Sequence, residues 1–445
     1  MVVLKIGGTS MGSAARMDQA LDIARSLLPK APVMVCSAMG GITDRIIEAS
    51  VLAQQGLADK AMQSLEAIKD VHYQCAQEFL EGDILADTRS DLDHLFTQFA
   101  SLLKGVSLLR DCSPRSLDAL LSFGERLSTR LIHSRAVQQG MASELLDARG
   151  FIRTNDSFNK ARPDMEETFR LTAEQVQPAA GKLIITQGFI GSTSSEVTTT
   201  LGRGGSDYSA SIIGAALNAE EIQIWTDVNG IMTCDPRLIP QAFTVPEITY
   251  MEAGELAFFG AKVVHPATIQ PAVVKGIPVR VKNTARPEEH GTRIAADAGF
   301  PGLKALSVKK NITVLNITSS RMLEAHGFLS LLFAVFDAAE TPVDLVSTSE
   351  VSVSMTIERT DRLEEIIDRL KELGEVSAEK GMAIICMVGE HLWKDPAFPA
   401  KAFGALEDIP IRMISLGASE VNLSLVVPEN QAEKALNNLH SHFFG

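Results

Sequence analysis

The sequence predicts an α/β protein: an open, mostly parallel sheet with helices on both faces over residues 1–300, followed by two ferredoxin-like modules. Short apolar runs alternate with long helical segments in the first part, the order typical of parallel sheets. The last part contains an internal repeat of a β–α–β–β–α unit. Glycine-rich motifs follow several predicted strands, and open parallel sheets bind ligands at the carboxyl ends of their strands.

Composition restricts the classes of partner. The chain has 445 residues, and 41 Lys and Arg against 55 Asp and Glu give a net charge of −14. Because nucleic acids and anionic membranes bind basic surfaces, we expect neither as a partner. Five scattered cysteines without a CxxC pair indicate reduced thiols in a cytoplasmic protein. The nine histidines form no ligand pattern, so we expect no protein metal site.

The first apolar run, 2–4, leads through Lys5 into Gly7 and Gly8, which Thr9 and Ser10 follow. Glycines let backbone N–H groups approach phosphate oxygens, and hydroxyl groups add donors. In a Walker A loop the lysine follows the glycines, whereas here it precedes them on the strand. The motif therefore has two interpretations, a simple turn or a phosphate site in a fold other than the P-loop. The apolar run breaks at Lys5, so we expect no signal peptide.

The remaining elements of the first part follow from apolar periodicity. The segment 43–140 has helical spacing, and the pattern lapses around 285–302, which indicates a connection to a new domain. Strands are predicted at 33–36, 183–186, 222–225 and 279–281.

The repeat in the last part is visible as a near-match between 349–354 and 419–424, 70 positions apart. The match lies at the same point of two similar units, which favours paired regulatory modules over coincidence. Each unit predicts strand, helix, strand and helix around the match: 312–315, 328–340, 343–346 and 360–373, then 383–386, 398–407, 411–414 and 429–442.

A second glycine-rich loop surrounds an arginine: Gly202, Arg203, Gly204 and Gly205 precede a predicted helix. A helix N-terminus with free N–H groups binds anions, and the guanidinium fork suits a carboxylate or phosphate. Asp207, in the first turn, would by itself be explained as a residue that complements the helix dipole.

Further candidates lie in two other segments. Thr226 and Asp227 follow the strand at 222–225, and Arg237 adds positive charge to the end of an otherwise acidic loop. Glu125 follows Gly124 within a helical region, and alone it would be a solvated helix residue.

Together these motifs resemble the aspartokinases of the amino acid kinase superfamily, in particular the monofunctional, lysine-sensitive bacterial type. The matching segments are 5–10, 122–125, 202–207, 226–231, 235–237, 259–263 and 265–266. The resemblance covers essentially the whole chain. It implies an αβα-sandwich amino acid kinase domain over 1–290, a regulatory ACT domain over 303–380 and a second ACT domain, for regulation and dimerisation, over 381–445.

The resemblance implies phosphoryl transfer from ATP, with Mg²⁺, to L-aspartate, the first step of lysine, threonine and methionine biosynthesis. A carboxylate nucleophile is already ionised at pH 7, so catalysis reduces to positioning and charge neutralisation. Lys5 would stabilise the transferring phosphoryl group. Asp207 would orient either Lys5 or the magnesium–phosphate assembly, and both roles remain open.

The resemblance also assigns binding residues. Arg203 would pair with the α-carboxylate of aspartate and Glu125 with its ammonium group, and Thr43 and Ser206 would add hydrogen bonds. The nucleotide would be held by Lys5, Gly7, Gly8, Thr9, Thr226, Asp227, Arg237 and Lys262.

Regulation is implied by the same resemblance. The first ACT domain and its dimer mate would form a pocket for an amino-acid inhibitor, L-lysine or else threonine, and Asp344 would meet the effector ammonium. We expect a homodimer or tetramer assembled through the ACT domains. The pocket residues would be Met322, Phe328, Leu329, Val343, Asp344, Thr348 and Ser349.

Three other functions compete with this interpretation. A kinase for another acid, such as acetylglutamate or carbamate, is disfavoured by the segment 122–125 and the doubled modules. A non-catalytic amino-acid sensor is disfavoured because Lys5 and Asp207 are present. A Rossmann oxidoreductase is disfavoured because no GxGxxG opens the first helix.

Overall fold

The structure, a computed structural model, describes residues 1–260, 264–298, 300–322 and 326–445. Lys262, one of the predicted nucleotide contacts, lies outside this part of the chain. The chain divides into two compact units. The first comprises Met1–Ile231, Pro246–Tyr250 and Val263–Ala298, and the second comprises Met232–Val245, Met251–Lys262 and Gly299–Gly445.

The first unit is built on an eight-stranded sheet with the order β3-β4-β2-β1-β7-β9-β10-β8. Every neighbouring pair is parallel except β9 and β10, which confirms the predicted mostly parallel sheet. A separate antiparallel pair, β5 and β6, follows β4. The strands are β1 Val2–Ile6, β2 Val33–Cys36, β3 Ser143–Leu146, β4 Leu183–Gln187, β5 Ile190–Ser192, β6 Thr198–Thr200, β7 Glu221–Thr226, β8 Glu247–Ile248, β9 Val279–Asn283 and β10 Thr292–Ile294.

Helices cover this sheet, and the predicted helical segment 43–140 is resolved into four of them, α2 to α5. Central strand β1 is buried on both faces, with Val3, Leu4 and Ile6 at 0% exposure, as expected for a covered parallel strand. The helices of the first unit are α1 Ala14–Ser26, α2 Ile42–Gln54, α3 Ala58–Phe79, α4 Gly82–Leu109, α5 Pro114–Gln138, α6 Met165–Gln175, α7 Gly205–Ala216 and α9 Pro266–Lys275. Between α7 and α9 the chain forms α8 Tyr250–Phe258. Apart from its first residue, α8 belongs to the second unit.

The second unit contains one antiparallel six-stranded sheet with the order β12-β13-β11-β14-β16-β15. Its strands are β11 Gly302–Thr318, β12 Val346–Thr348, β13 Ser352–Ile357, β14 Glu375–Glu390, β15 Met413–Leu416 and β16 Asn422–Pro428. Its remaining helices are α10 Phe328–Ala338, α11 Leu363–Lys371, α12 Ala397–Gly404 and α13 Ala432–Phe444.

The internal repeat is confirmed as two β–α–β–β–α units. Their first strands, β11 and β14, are much longer than predicted and pair with each other along most of their length. Each long strand therefore belongs to both units, and the two predicted small sheets are one continuous sheet. The predicted strand at 343–346 begins only at Val346. No helix in the described part of the chain has both the length and the apolarity of a membrane span.

Candidate active site

The candidate site lies where the parallel strands of the first unit end. Lys5 is the fourth residue of β1, between Val35 of β2 and Ile224 of β7. Its Nζ lies 2.8 Å from Oδ1 of Asp207, and the two side chains are 12% and 15% exposed. Asp207 is in the first turn of α7. The structure thus brings together the two predicted catalytic residues in a mostly buried ion pair.

Close packing of neighbouring strand ends explains Gly7 and Gly8. The Gly7 N–H donates to the Trp225 carbonyl oxygen at 3.0 Å, and a Cβ on Gly7 would lie 3.2 Å from that oxygen. A Cβ on Gly8 would lie 3.1 Å from the Ala38 carbonyl oxygen. Thr9 begins the short helical turn Thr9–Met11 directly afterwards. The two glycines therefore let the backbones of neighbouring strand ends pack closely beside Lys5, and the Gly7 N–H is already used in that packing.

Glu125 is buried, not solvated as its position in a helical region would suggest. It is 3% exposed, and its Oε1 accepts a hydrogen bond from the Ala38 N–H at 3.2 Å. Its Oε2 is buried and has no hydrogen-bond partner among the described residues. Burial raises the pKa of Glu125 to about 8, against the opposing effects of the Ala38 hydrogen bond and the Lys5 charge. Such a carboxylate is suited to accept a cationic group from a ligand.

The second glycine loop requires its glycines for conformation and for space. Gly202 and Gly204 have φ values of 77° and 72°, and a Cβ on Gly204 would lie 2.8 Å from Cγ2 of Thr268. Arg203 is exposed and forms no ion pair within the described ranges. Its guanidinium is therefore available to an anionic ligand.

Ser206 and Thr43 occupy the first turns of α7 and α2, respectively. Gly188, immediately after β4, lies against Ser206: a Cβ on Gly188 would be 2.7 Å from the Ser206 Cβ. The strand-end glycine thus brings the N-terminus of α7 to the edge of the sheet, where helix N–H groups attract anions.

Sequence reasoning missed two residues that support this region. Asp118 of α5 is fully buried and accepts hydrogen bonds from the Asn159 N–H at 3.0 Å, the Thr200 N–H at 2.9 Å and the Thr200 hydroxyl at 2.6 Å. Nothing in its sequence neighbourhood indicates that role. Phe189 has φ 66°, and its N–H donates to the Ser209 hydroxyl oxygen at 2.9 Å. A glycine directly after a predicted strand indicates a tight turn, and this pattern at Gly188 could have identified the unusual backbone conformation of Phe189.

The predicted nucleotide residues are placed in different units. Thr226 ends β7 in the first unit, and its hydroxyl donates to the exposed Asp227 carboxylate at 3.3 Å. Arg237 lies in the second unit and is 87% exposed. Two atoms of its guanidinium bind Asp235, with Nη2–Oδ2 at 2.6 Å and Nε–Oδ1 at 3.0 Å. The positive charge noted in the sequence is therefore neutralised by a neighbour.

The apolar members of the predicted effector set meet in the second unit. Phe328 lies in the hydrophobic cluster that includes residues of α10, α11 and β13. Met322 and Val343 pack against this cluster. Leu329, the next residue of α10, is 43% exposed.

The polar members follow the same chain segment. Thr348 ends β12, and the Ser349 hydroxyl oxygen accepts from the Ser352 N–H at 3.1 Å in a tight turn. Asp344 is 4% exposed, and its Oδ1 lies 2.8 Å from Nζ of Lys309.

Comparison with known proteins agrees with this geometry. The amino acid kinase family model matches residues 1–283, and an ACT domain model matches residues 385–443. The lysine-sensitive aspartokinase 3 of Escherichia coli is 37% identical, over 100% of this chain and 99% of that protein. The chloroplastic aspartokinase 2 of Arabidopsis thaliana is 36% identical, over 99% of this chain and 84% of that protein.

Solved structures give the same result. Escherichia coli aspartokinase III in complex with aspartate and ADP, its R-state, has a TM-score of 0.83 at 37% identity, with both chains covered completely. The same enzyme with lysine and aspartate, its T-state, also has a TM-score of 0.83. Clostridium acetobutylicum aspartate kinase has a TM-score of 0.87 at 26% identity, again with complete coverage of both chains.

These matches cover both units, with a phosphotransfer fold in the first and regulatory modules in the second. The chain belongs to the aspartokinases, within the amino acid kinase family. It is accordingly a phosphotransferase with a carboxyl group as acceptor.

Proposed function

We propose that this chain transfers the γ-phosphoryl group of ATP to the side-chain carboxylate of L-aspartate, with Lys5 and Asp207 at the reacting centre. The observation that carries the assignment is the ion pair between these residues, 2.8 Å long, beside the glycine turn that follows β1. It supports a charge-stabilising role for Lys5, because an ammonium held at a strand end beside a helix N-terminus suits a transferring phosphoryl group.

The reaction needs no general base. A carboxylate oxygen of aspartate attacks the γ-phosphorus in line as the bond to the β-phosphate oxygen breaks, and the electron pair leaves with ADP. Lys5 would neutralise the charge that accumulates on the phosphoryl oxygens. Asp207 would keep the Lys5 ammonium in place until the nucleotide arrives.

Aspartate binding would use groups that are available for it. Among the described residues, Oε2 of Glu125 has no hydrogen-bond partner and the Arg203 guanidinium has no ion-pair partner. The first supports a role of Glu125 as acceptor for the aspartate ammonium, and the second supports a two-point contact of Arg203 with the α-carboxylate. Thr43 and Ser206 would add hydrogen bonds from the first turns of their helices.

The nucleotide would lie along the glycine turn. Lys5, Gly7, Gly8 and Thr9 would approach its phosphates, and four residues would complete its contacts: Thr226, Asp227, Arg237 and Lys262. Mg²⁺ is held mostly by phosphates and water, so it needs few protein ligands, and it would neutralise phosphate charge. The Asp207 carboxylate is a suitable oxygen ligand for Mg²⁺. The described residues contain no cluster of three or more His, Cys, Asp or Glu side chains that could hold a metal ion.

Regulation by L-lysine is part of the proposal. The similar Escherichia coli enzyme has been crystallised with lysine, and Asp344 offers a buried carboxylate to an effector ammonium. The domain assignment is 1–290 for the kinase, 303–380 for the first ACT domain and 381–445 for the second. A homodimer or tetramer would assemble through the ACT domains, in the cytoplasm, where the free cysteines of the chain stay reduced.

A coupled assay of ADP release tests the assignment. We expect ADP release that depends on L-aspartate and on ATP with Mg²⁺, and no release with acetylglutamate or carbamate. ADP release that ignores aspartate would overturn the proposal. Adding millimolar L-lysine should lower the rate, and an effect of threonine alone would reassign the effector.

A further inference from the structure

In the second unit, Lys309 of β11 connects two carboxylates and an aromatic ring. Its Nζ lies 2.8 Å from Oδ1 of Asp344 and 3.0 Å from Oε2 of Glu358. It also lies 5.0 Å from the ring centroid of Phe258 on α8. The Lys309 side chain is only 15% exposed, so this ammonium is mostly shielded from water. One cation therefore holds together four separate segments of the unit.

Asp344 depends on this cation. It is 4% exposed, and its Oδ2 is buried without a hydrogen-bond partner among the described residues. Burial raises the pKa of Asp344, and the Lys309 ammonium opposes that shift. Burial alone would lower the pKa of Lys309, but its bonds to Asp344 and Glu358 carry that pKa above its ordinary value. A buried carboxylate of this kind needs an ammonium beside it, whatever the source of that ammonium.

Lys309 is also adjacent to the segment that precedes Lys262 in the chain. Gly260 has φ 117°, and a Cβ on it would lie 3.0 Å from the carbonyl oxygen of Val308. The end of α8 thus rests on β11 beside Lys309, both through this backbone contact and through the Phe258 ring. A displacement of Lys309 would therefore alter the packing of Phe258 and Gly260 against β11.

We propose that Lys309 is an internal competitor of the amino-acid effector for Asp344. Without effector, the Lys309 ammonium occupies the carboxylate. When the effector ammonium takes its place, Lys309 leaves Asp344 and loosens its contact with Phe258, which changes the segment before Lys262. The inference rests on the effector role proposed for Asp344. Because the Lys309–Asp344 pair exists only in the effector-free state, it shifts the equilibrium away from the bound state.

The test compares effector affinities by calorimetry. We expect Lys309→Met to bind L-lysine about tenfold more tightly than the unchanged protein, since the competing ammonium is gone. Lys309→Arg keeps a cation there and should bind like the unchanged protein. Lys310→Met is the matched control, because the adjacent Lys310 pairs with Glu433 at 2.9 Å and should not affect affinity. Equal or weaker binding by Lys309→Met overturns the proposal.

A second variant tests transmission and does not depend on the stability of Lys309→Met. Phe258 is 53% exposed, so Phe258→Leu removes the ring contact at small cost to folding. It should bind lysine at least as tightly as the unchanged protein, because displacing Lys309 no longer costs the ring contact, and yet show weaker maximal inhibition of ADP release. Inhibition equal to that of the unchanged protein would overturn the role of Phe258.

A failure of the proposed function is distinguished from a failure of this inference by a separate measurement. Aspartate-dependent ADP release without lysine tests catalysis alone. If the unchanged protein binds neither lysine nor threonine, Lys309→Met is titrated with both. Binding gained by the variant would support competition, and no binding by either protein would overturn it.

Discussion

At the scale of single residues, the candidate site is defined by a mostly buried contact between two charged side chains. Lys5 and Asp207 are separated by most of the first unit in sequence and yet form an ion pair 2.8 Å long. Both residues were identified from motifs, and the family resemblance implied that Asp207 orients either Lys5 or the magnesium–phosphate assembly. The sequence alone could not decide between these roles, because no local pattern relates a strand to a helix so distant in the chain. The structure thus gives Asp207 a partner, which a residue that only complements its helix dipole would not need.

Lys5→Ala tests the charge-stabilising role. Removing an electrostatic donor at the reacting centre should lower kcat by about 10²–10³-fold. The KM for aspartate should change little, because Glu125 and Arg203 remain. Steady-state kinetics with circular dichroism on the same sample provides the measurement, and Lys30→Ala on the surface serves as control. Near-normal turnover in a folded protein would contradict the role.

The pKa of Glu125 predicts how aspartate binding depends on pH. Because burial raises that pKa to about 8, the carboxyl group of the free enzyme is largely neutral at lower pH and attracts an ammonium poorly. The KM for aspartate should therefore fall as the pH is raised toward about 8. Glu125→Gln should raise KM and abolish this dependence. A pH profile of KM that is the same in both proteins would exclude Glu125 as the ammonium partner.

At the scale of elements, α8 and β11 are joined by a buried ion pair. Nζ of Lys304 lies 2.9 Å from Oε2 of Glu252, and both side chains are 0% exposed. Lys304 also lies 5.0 Å from the centroid of the Phe300 ring. Taking two charges out of water is costly, so this pair serves to define the position of α8 on β11 more than to add stability.

Lys304→Met should therefore destabilise the protein by about 3 kcal/mol, because Glu252 keeps its charge in a buried position without that ammonium. Adding Glu252→Gln should recover part of the loss. The matched control is Lys310→Met, whose pair with Glu433 is 36% and 62% exposed and should contribute less than about 1 kcal/mol. Urea denaturation followed by circular dichroism measures all three, and equal losses for both lysines would contradict the argument.

Elements were predicted to different extents for physical reasons. In the first unit, β3, β5, β6, β8 and β10 were not predicted, but the order of β1, β2, β4, β7 and β9 and of the helical segment 43–140 followed from the strong apolar runs of the sequence. The length of β11 did not, because its two halves pack against different hydrophobic clusters and its register with β14 shifts between Lys309 and Ile312. Only the family resemblance identified Glu125 as a binding residue, because its helical neighbours do not indicate that it is buried. Its burial accompanies the close packing of α5 on Ala38, where a Cβ on the preceding Gly124 would lie 2.9 Å from the Cβ of Ala38.

At the scale of the whole molecule, α10 presents an apolar surface that suits assembly. Leu331 is 60% exposed, Leu329 43% and Phe333 39%, on the helix that also carries the predicted effector residue Phe328. Leu329 and Phe333, four residues apart, lie on one side of α10 and Leu331 lies on the other, and several large exposed apolar side chains on one helix are typical of an interaction surface. They support the proposed homodimer through the ACT domains, because burying them against a second copy would remove them from water.

Leu331→Glu should accordingly weaken self-association, since a charge placed in an apolar interface loses its hydration. Light scattering coupled to size exclusion should give a lower mass than for the unchanged protein at equal concentration. Leu108→Glu is the matched control, because Leu108 is 86% exposed on α4 and lies in the first unit. Basal ADP release should persist in both variants. An unchanged mass for Leu331→Glu would remove α10 from the interface, whereas a lower mass with weaker lysine inhibition would support an effector pocket completed by the second copy.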